Sequence, residues 1–460
     1  MNLIKIQGDE SRGLLRRSRM VKTVADSGIV KSFSEGEARL KTAVIRIVIS
    51  NDAASTPAGM AAVLTAARIC LKTFQRVVVE GALDQPFTLP ILGSHNKTLR
   101  AALLMIGVCQ DCSAGSVTHE ILIGADVTDA PIAVRCWWDG WHTGIRPLHD
   151  DRVLGDSKNP LAGVFAGALA VREIFAQHML QISRATHRTS VLSLWEPWVQ
   201  NGDLQGPDFV SLPNKLWLVG LGHLGQGIAW NLLTLPMNSE RHIILQDDQT
   251  IGVENEPTGL LVREIDIHGK KCRSVAHWFE AAGWITSLIE RRHHGETSMA
   301  NDPPLVLSAL DSPESRRLIA SASFPYMVDI GVGHGPRDFE TIQAHCIAKD
   351  EDISGLWTHA GMADRSNLMS TSAYQEDDER VGGCGMEDIA GAGVAVPFVG
   401  AAAGAIAVAQ SIRILSLGDT FKSFQLQMAC PDMPTTSDIR PSAKTGYGGE
   451  RVQLGAKAKA

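Results

Sequence analysis

Short apolar runs alternate with longer amphipathic stretches along most of this chain. In the second half, residues 215–220 (KLWLVG) have the length and flanking glycine of a buried strand. The chain turns through GLGHLGQG into IAWNLLTL, read as a helix, and HIILQD reads as the next strand. The helix KCRSVAHWFEAAG, the strand LVLSALD, the short helix SPESRRLIA and the strands YMVDIG and ETIQAHCIA follow. The first half has a similar rhythm. VIRIVIS leads to the helix AGMAAVLTAARICL, the strand RVVVEG, the helix TLRAALLMIGV and the strands EILIGAD and IAVRCWW. Alternation of this kind predicts an α/β protein with two tandem, doubly wound, mostly parallel sheets.

The halves also close alike. Residues 160–171 read PLAGVFAGALAV and residues 397–408 read PFVGAAAGAIAV, sharing seven of twelve positions, among them the proline and both glycines. Gly- and Ala-rich helices resemble one another by composition alone, but each copy ends a similar series of elements, which favours an internal duplication. From Val44 to Pro160 is 116 positions, whereas Leu216 to Pro397 is 181. Much of the surplus lies in residues 350–392, a polar segment with the acidic run QEDDER, expected to be a functional or mobile insert without regular structure. The division that follows is 1–205, 206–435 with the insert, and a disordered tail over 436–460, with residues 180–212 bridging the halves.

Composition then narrows the function classes. The 460 residues carry 43 Lys+Arg against 50 Asp+Glu, a formal charge of −7, so there is no basic footprint for nucleic acid or an anionic membrane. The first residues are acidic early and lack an apolar secretory core. Residues 391–412 are uncharged over a span-like length. Their Gly/Ala content and internal proline predict a close-packed buried helix instead of a membrane span. Eight scattered cysteines do not look like a secreted disulfide framework, and a cytoplasmic protein with reduced thiols is expected.

The candidate chemistry begins at Gly220-Leu-Gly222-His-Leu-Gly225, between a predicted strand and a predicted helix. Glycines in that setting allow a tight turn and close backbone approach to phosphate, which the helix N-terminus attracts. Asp247 ends the next strand 22 residues after Gly225, where a carboxylate can hold ribose hydroxyls. These features alone fit NAD, FAD, ATP or a turn with no ligand.

The ordered series VGLGHLGQGIAWNL, ILQDDQTIGVEN, HGKKC, VLSALD and GVAVPFVGAAAGAIAVAQSI resembles the ThiF/MoeB and ubiquitin-activating enzyme family, best over residues 215–417. That family adenylates the C-terminal glycine of ubiquitin-like proteins. The resemblance implies two Rossmann-like adenylation domains forming a pseudodimer, the second active. The first is inactive, its opening strand leading into SNDAASTPAG without a glycine signature. By position, Gly220, Gly222 and Gly225 would lie against the phosphates of ATP, Asp247 would hold the ribose and Asn255 would match the Asn of the family's SNLxRQ segment. Lys271 would neutralise phosphate, with adjacent Lys270 as the other match, and Asp311 would stand by Mg²⁺ and the α-phosphate. A charged triphosphate needs a cation and a carboxylate–magnesium partner, which hydride transfer from NAD does not. Arg19 occupies the fourth place of an RYxRQ-like segment and would be the arginine that the family supplies from the opposite subunit.

The sequence also departs from the family. Thr258 and Gly259 stand where SNLxRQ has Arg and Gln, with Arg263 as a possible substitute, and the paired CxxC motifs of a zinc site are missing; Cys109 and Cys112 form the single CxxC. Cys70, Cys136, Cys272 and Cys346 fall in apolar elements and read as core thiols. Cys384, in GGCGMED, reads as an exposed thiol on a Gly-flanked loop before the closing helix, where the family places its thioester-forming cysteine. The resemblance therefore implies adenylation of a ubiquitin-like protein, thioester formation on Cys384 and delivery to a conjugating enzyme, with kinship to bacterial conjugation systems. A sulfur-carrier adenylyltransferase, an NAD-dependent oxidoreductase and a degenerate scaffold are the alternatives.

Overall fold

The computed structural model describes residues 16–93, 97–109, 116–126, 128–199, 206–296, 299, 301–357, 368–381, 383–416, 419–440 and 449–454. In the first half, β1 (Ile45–Ile49), β2 (Val77–Gly81), β3 (His119–Ile123), β4 (Ile132–Asp139), β5 (His142–Arg146) and β6 (Ser190–Ser193) form one sheet in the order β2-β1-β3-β4-β5-β6. The pairs β1–β2, β1–β3 and β3–β4 are parallel, whereas β4–β5 and β5–β6 are antiparallel.

The second half opens with β7 (Phe209–Pro213) and builds a larger sheet. Its strands are β8 (Lys215–Val219), β9 (His242–Gln246), β10 (Ile285–Ile289), β11 (Leu305–Ser308), β12 (Tyr326–Val332), β13 (Thr341–Ala348), β14 (Thr420–Gln427) and β15 (Thr435–Arg440), in the order β10-β9-β8-β11-β12-β13-β14-β15. Strands β10, β9, β8, β11 and β12 pair in parallel, and β12 to β15 are antiparallel. The run β9-β8-β11-β12-β13-β14 thus repeats the order and sense of the whole first sheet. The duplication seen in the closing segments extends through the strand topology.

The helices repeat too. Helix α1 covers residues 16–25 and α2 is Phe33–Thr42; α3 (Pro57–Thr73) follows β1, and α4 (Pro160–His178) closes the first half. In the second half α5 (His223–Thr234) follows β8, α6 (Lys271–Ala281) and α7 (Pro313–Ala320) flank the sheet, and α8 (Ser372–Val381), α9 (Gly383–Gly391) and α10 (Pro397–Ser416) come last. The repeated glycines explain how each closing helix seats. A Cβ on Gly163 would lie 1.9 Å from the Ala58 carbonyl oxygen in α3, and one on Gly404 would lie 2.3 Å from Gly227 in α5. Small residues therefore let α4 lie on α3 and α10 lie on α5, backbone to backbone. The two closing helices also meet, with the rings of Phe175 and Phe398 5.4 Å apart, and one apolar core runs through both halves. Helix α10 is apolar enough to cross a membrane, but 94% of its apolar window is buried inside the protein.

Three expectations change. The insert is not without structure, because α8 and α9 occupy much of it. One residue of its acidic run is an anchor: Asp377 accepts hydrogen bonds from the Phe33 and Ser34 amides at 2.7 and 3.2 Å, and nearby Tyr374 donates to Asp26 at 2.7 Å. The tail is not wholly disordered. Residues 435–440 form edge strand β15, and β16 (Gly449–Gln453) pairs antiparallel with β7, burying Val452 and Leu454. Finally, Cys384 lies in the first turn of α9 instead of on a loop; its side chain is outside the described part.

Candidate active site

A cavity of about 420 Å³ opens at the C-terminal ends of β8, β9 and β11, the crevice where doubly wound sheets bind ligands. Gly220 leaves β8 at φ +83°, and a Cβ there would lie 2.7 Å from the Ala309 carbonyl oxygen. Only glycine makes that turn without strain. Gly222 is the N-cap of α5, and a Cβ on it would meet nothing within 4 Å, so its bare backbone faces open space. Gly225 differs from its expected place against phosphate. It does not line the cavity, and its Cβ would fall 1.8 Å from the Gly220 carbonyl oxygen, so its task is to let α5 pack on the turn.

Asp247 continues directly from β9 and braces the turn. One carboxylate oxygen accepts from the Leu221 amide at 2.7 Å and the other from the Gln249 amide at 2.8 Å. Lys271, the first residue of α6, lines the cavity with its Nζ 2.5 Å from Gln249 Oε1. Lys270 instead donates to the Asp248 carbonyl at 2.6 Å and does not line it. Asp311 enters the wall between β11 and α7. The cap of α7 is Ser312, whose hydroxyl accepts from the Ser315 amide at 3.1 Å, so Asp311 is not spent on capping.

Arg19 reaches the same wall from α1, in the other half of the chain. Its Nε donates to the Gly393 carbonyl at 3.0 Å, and its own carbonyl accepts from the Ala395 amide at 3.2 Å. Burial lowers its pKa, against the opposing pull of the Glu254 and Asp311 carboxylates. His223 stands beside it. Its Nε2 lies 2.8 Å from the Val396 carbonyl, which requires the proton on Nε2, and burial together with Arg19 lowers its pKa to about 4.

Asn255 is not brought to the cavity. Its side-chain oxygen accepts from the Gly252 amide at 2.9 Å and caps a single helical turn, Val253–Asn255. Arg263 is held by Asp266 at 2.9 Å and does not line the cavity either. The segment between them is fixed from outside. Arg68 of α3 donates to the Leu260 and Val262 carbonyls at 2.8 and 2.9 Å, and Lys72 donates to Val262 at 2.9 Å. Gln226 of α5 accepts from the Leu261 amide at 3.0 Å and donates to the Leu221 carbonyl at 3.1 Å, linking this segment to the glycine turn. The lining residues that sequence reasoning missed include Arg291, Arg292, His293, Arg316, His223 and His334. The basic run RRHH just past β10 was the available signal for the first three.

The thiols sort by burial. Cys70, Cys136, Cys272 and Cys346 are buried, and desolvation pushes the thiol pKa values of the first three upward. Cys109 and Cys430 are exposed, and Cys112 lies outside the described residues. Among the described residues no group of three or more His, Cys, Asp or Glu is arranged as a metal cluster.

Two sheets of one topology, one of them carrying a glycine-rich phosphate-type turn, define a doubly wound α/β protein with its site at the strand ends. Residues 44–194 match the family described as the BilD N-terminal domain, and residues 212–418 match the BilD C-terminal domain. A curated relative, the bacterial E1-like protein BilD of Collimonas sp. (strain OK412), is 31% identical over 415 residues, covering 88% of this chain and 89% of that one. The chain belongs to the BilD family of bacterial E1-like proteins. Among solved structures, E. coli MccB with MccA-N7isoASN covers 51% of this chain and 67% of that chain at 12% identity and a TM-score of 0.33. Selenomethionine PaaA covers 52% and 73% at 12% identity and a TM-score of 0.30.

Proposed function

We propose that this protein activates a ubiquitin-like protein with ATP. The partner's C-terminal carboxylate attacks the α-phosphorus, the α–β anhydride bond breaks, and pyrophosphate leaves an acyl-adenylate. The thiolate of Cys384 then attacks the acyl carbon, AMP departs, and the thioester passes to a thiol on a conjugating enzyme. The observation that carries this reading is the meeting of Arg19 from the first half with Gly222, Asp247, Lys271 and Asp311 from the second around one cavity.

Each residue has a defined task in the adenylation step. The open backbone at Gly222 and the N-terminus of α5 cradle phosphate oxygens. Asp247, already oriented by the Leu221 amide, is set to accept ribose hydroxyls. Lys271 and Arg19 balance charge that builds on the phosphates during attack, the term that dominates such chemistry. Asp311 would hold Mg²⁺, which would supply further charge neutralisation when bound; a carboxylate oxygen is the kind of hard donor that magnesium takes. The first half takes the part of the inactive member of a pseudodimer. Where the second half has its glycine turn, β1 runs into a short helix, Asn51–Ala54, capped by Ser50, which leaves no glycine cradle there.

In the second step the place of Cys384 in the first turn of α9 favours the thiolate, since helix N-termini lower thiol pKa values. The scattered thiols, four of the six described ones buried, fit a reducing, cytoplasmic setting. The test is exchange of labelled pyrophosphate into ATP by the full chain with its ubiquitin-like partner, followed by a non-reducing gel for the covalent adduct. Exchange without an adduct would leave the adenylation step and point to a sulfur-carrier outcome; no exchange would remove the reading.

A further inference from the structure

Asp311 is one residue past Leu310, and what holds Leu310 lies farther along the chain. Arg316, in the second turn of α7, sends Nε and Nη2 back to the Leu310 carbonyl oxygen at 2.9 and 2.6 Å. Its Nη1 donates to Asp329 Oδ2 on β12 at 3.0 Å. Asp329 is fully buried and fully engaged. Ser308 Oγ of β11 donates to Oδ1 at 2.8 Å, and Trp357 Nε1 donates to Oδ2 at 3.1 Å. Gly331 makes space for this arrangement, since a Cβ there would lie 2.5 Å from Arg316 Nη1.

An arginine fork with two donors on one carbonyl and a third on a buried carboxylate has little freedom left. The strand end at Ser308 and the backbone at Leu310 are both tied to the Asp329–Arg316 pair, so the connection between them is fixed at both sides. We infer that Arg316 is a positioning residue: it sets the backbone from which Asp311 projects into the cavity, and acts on the nucleotide through Asp311. This rests on the adenylation reading. Arg316 itself borders the cavity, so the rival possibility is direct contact with phosphate, and the two differ in how their effects combine.

The experiment measures Mg·ATP binding by calorimetry in the full chain, without the partner, for wild type, Arg316→Lys, Asp311→Asn and the double variant. A lysine keeps the charge but cannot fork. Each single change is expected to weaken binding about tenfold, with the double no weaker than Asp311→Asn alone, because residues acting through one group are non-additive. Asp329→Asn, which leaves Arg316 in place without its counter-charge, is expected to give the same non-additivity and serves if Arg316→Lys does not fold. Multiplying losses in the double variants, wild-type affinity in Arg316→Lys, or no Mg·ATP binding by wild type would each overturn the inference. Wild-type binding with the expected pattern but no partner-dependent exchange would instead sink the adenylation reading and leave the positioning role standing.

Discussion

The Nε of Arg19 donates to the carbonyl oxygen of Gly393 at 3.0 Å, joining residues 374 positions apart in sequence. The bond fixes α1 of the first half to the segment that leads into α10, and both border the same cavity. The cavity therefore takes Arg19 from the first half of the chain, and the second half alone would lack that side chain.

Arg19→Ala is expected to reduce partner-dependent ATP–pyrophosphate exchange by about tenfold to a hundredfold, as loss of a charged phosphate contact does. The fold should persist, because the change removes one side-chain hydrogen bond from a helix otherwise anchored by the Lys22–Asp26 pair and Tyr374. Circular dichroism melting alongside exchange separates the two effects. Full activity in Arg19→Ala would exclude it from the site.

Lys271→Ala and Asp311→Ala should each lower exchange by about a hundredfold to a thousandfold. Asn255→Ala makes a useful contrast. Its side chain caps a turn outside the cavity, so the loss should be about 1 kcal/mol of stability with exchange near wild type. Exchange at the wild-type rate in Asp311→Ala would contradict the placing of that carboxylate at the reacting phosphates.

Much of this was legible in the sequence because glycine turns and strand ends are local features. Gly220, Gly222 and Asp247 announce themselves through spacing, and the closing helices through their shared glycines. Gly225 and Asn255 fit the pattern equally well, yet one packs and the other caps, since the motif does not say which atoms face the cavity. Arg316 and Arg68 were invisible because their partners, Asp329 and the Leu260 carbonyl, are tertiary neighbours. The insert was misread for a related reason. Its polar composition and acidic run read as a structureless insert, but Asp377 is 1% exposed and binds the start of α2. In the tail, Val452 and Leu454 alternate with polar residues over too short a span to outweigh the surrounding Gly and Lys.

Gly404→Val tests the packing that unites the repeat. A Cβ would lie 2.3 Å from the backbone of Gly227, so α10 must move away from α5. Overpacking of this kind costs about 1–3 kcal/mol or more. Gly355→Ala, where a Cβ meets nothing within 4 Å, is the control. Equal melting temperatures for the two variants would contradict the close approach.

His223 should make the protein acid-sensitive over a defined window. Its folded pKa is lowered to about 4, mainly by burial, from an unfolded value of 6.5. Between these values the unfolded chain binds the extra proton, so stability is lost as pH falls from 6.5 towards 4. His223→Gln removes that ionisation while keeping a donor for the Val396 carbonyl. Its denaturant midpoint should fall less steeply with pH across this window than that of wild type. Identical slopes would show that other groups carry the acid response.

Cys384→Ala separates the two proposed half-reactions. Adenylation needs the partner's carboxylate, ATP and magnesium, all at the cavity bordered by Arg19 and Asp311, so exchange should continue near the wild-type rate. Thioester formation needs a thiolate, and the variant should yield no reductant-sensitive adduct on a non-reducing gel. The substitution should also fold: alanine favours the helical backbone found at this position. The other thiols are poor substitutes, since Cys70, Cys136 and Cys272 are buried with raised pKa values, which leaves few thiolates at neutral pH. Cys430 is exposed and is the thiol to replace next if an adduct persists in Cys384→Ala. Loss of exchange in a folded Cys384→Ala protein would mean that α9 serves the adenylation step itself. The division of labour between the cavity and the cysteine helix would then have to be abandoned.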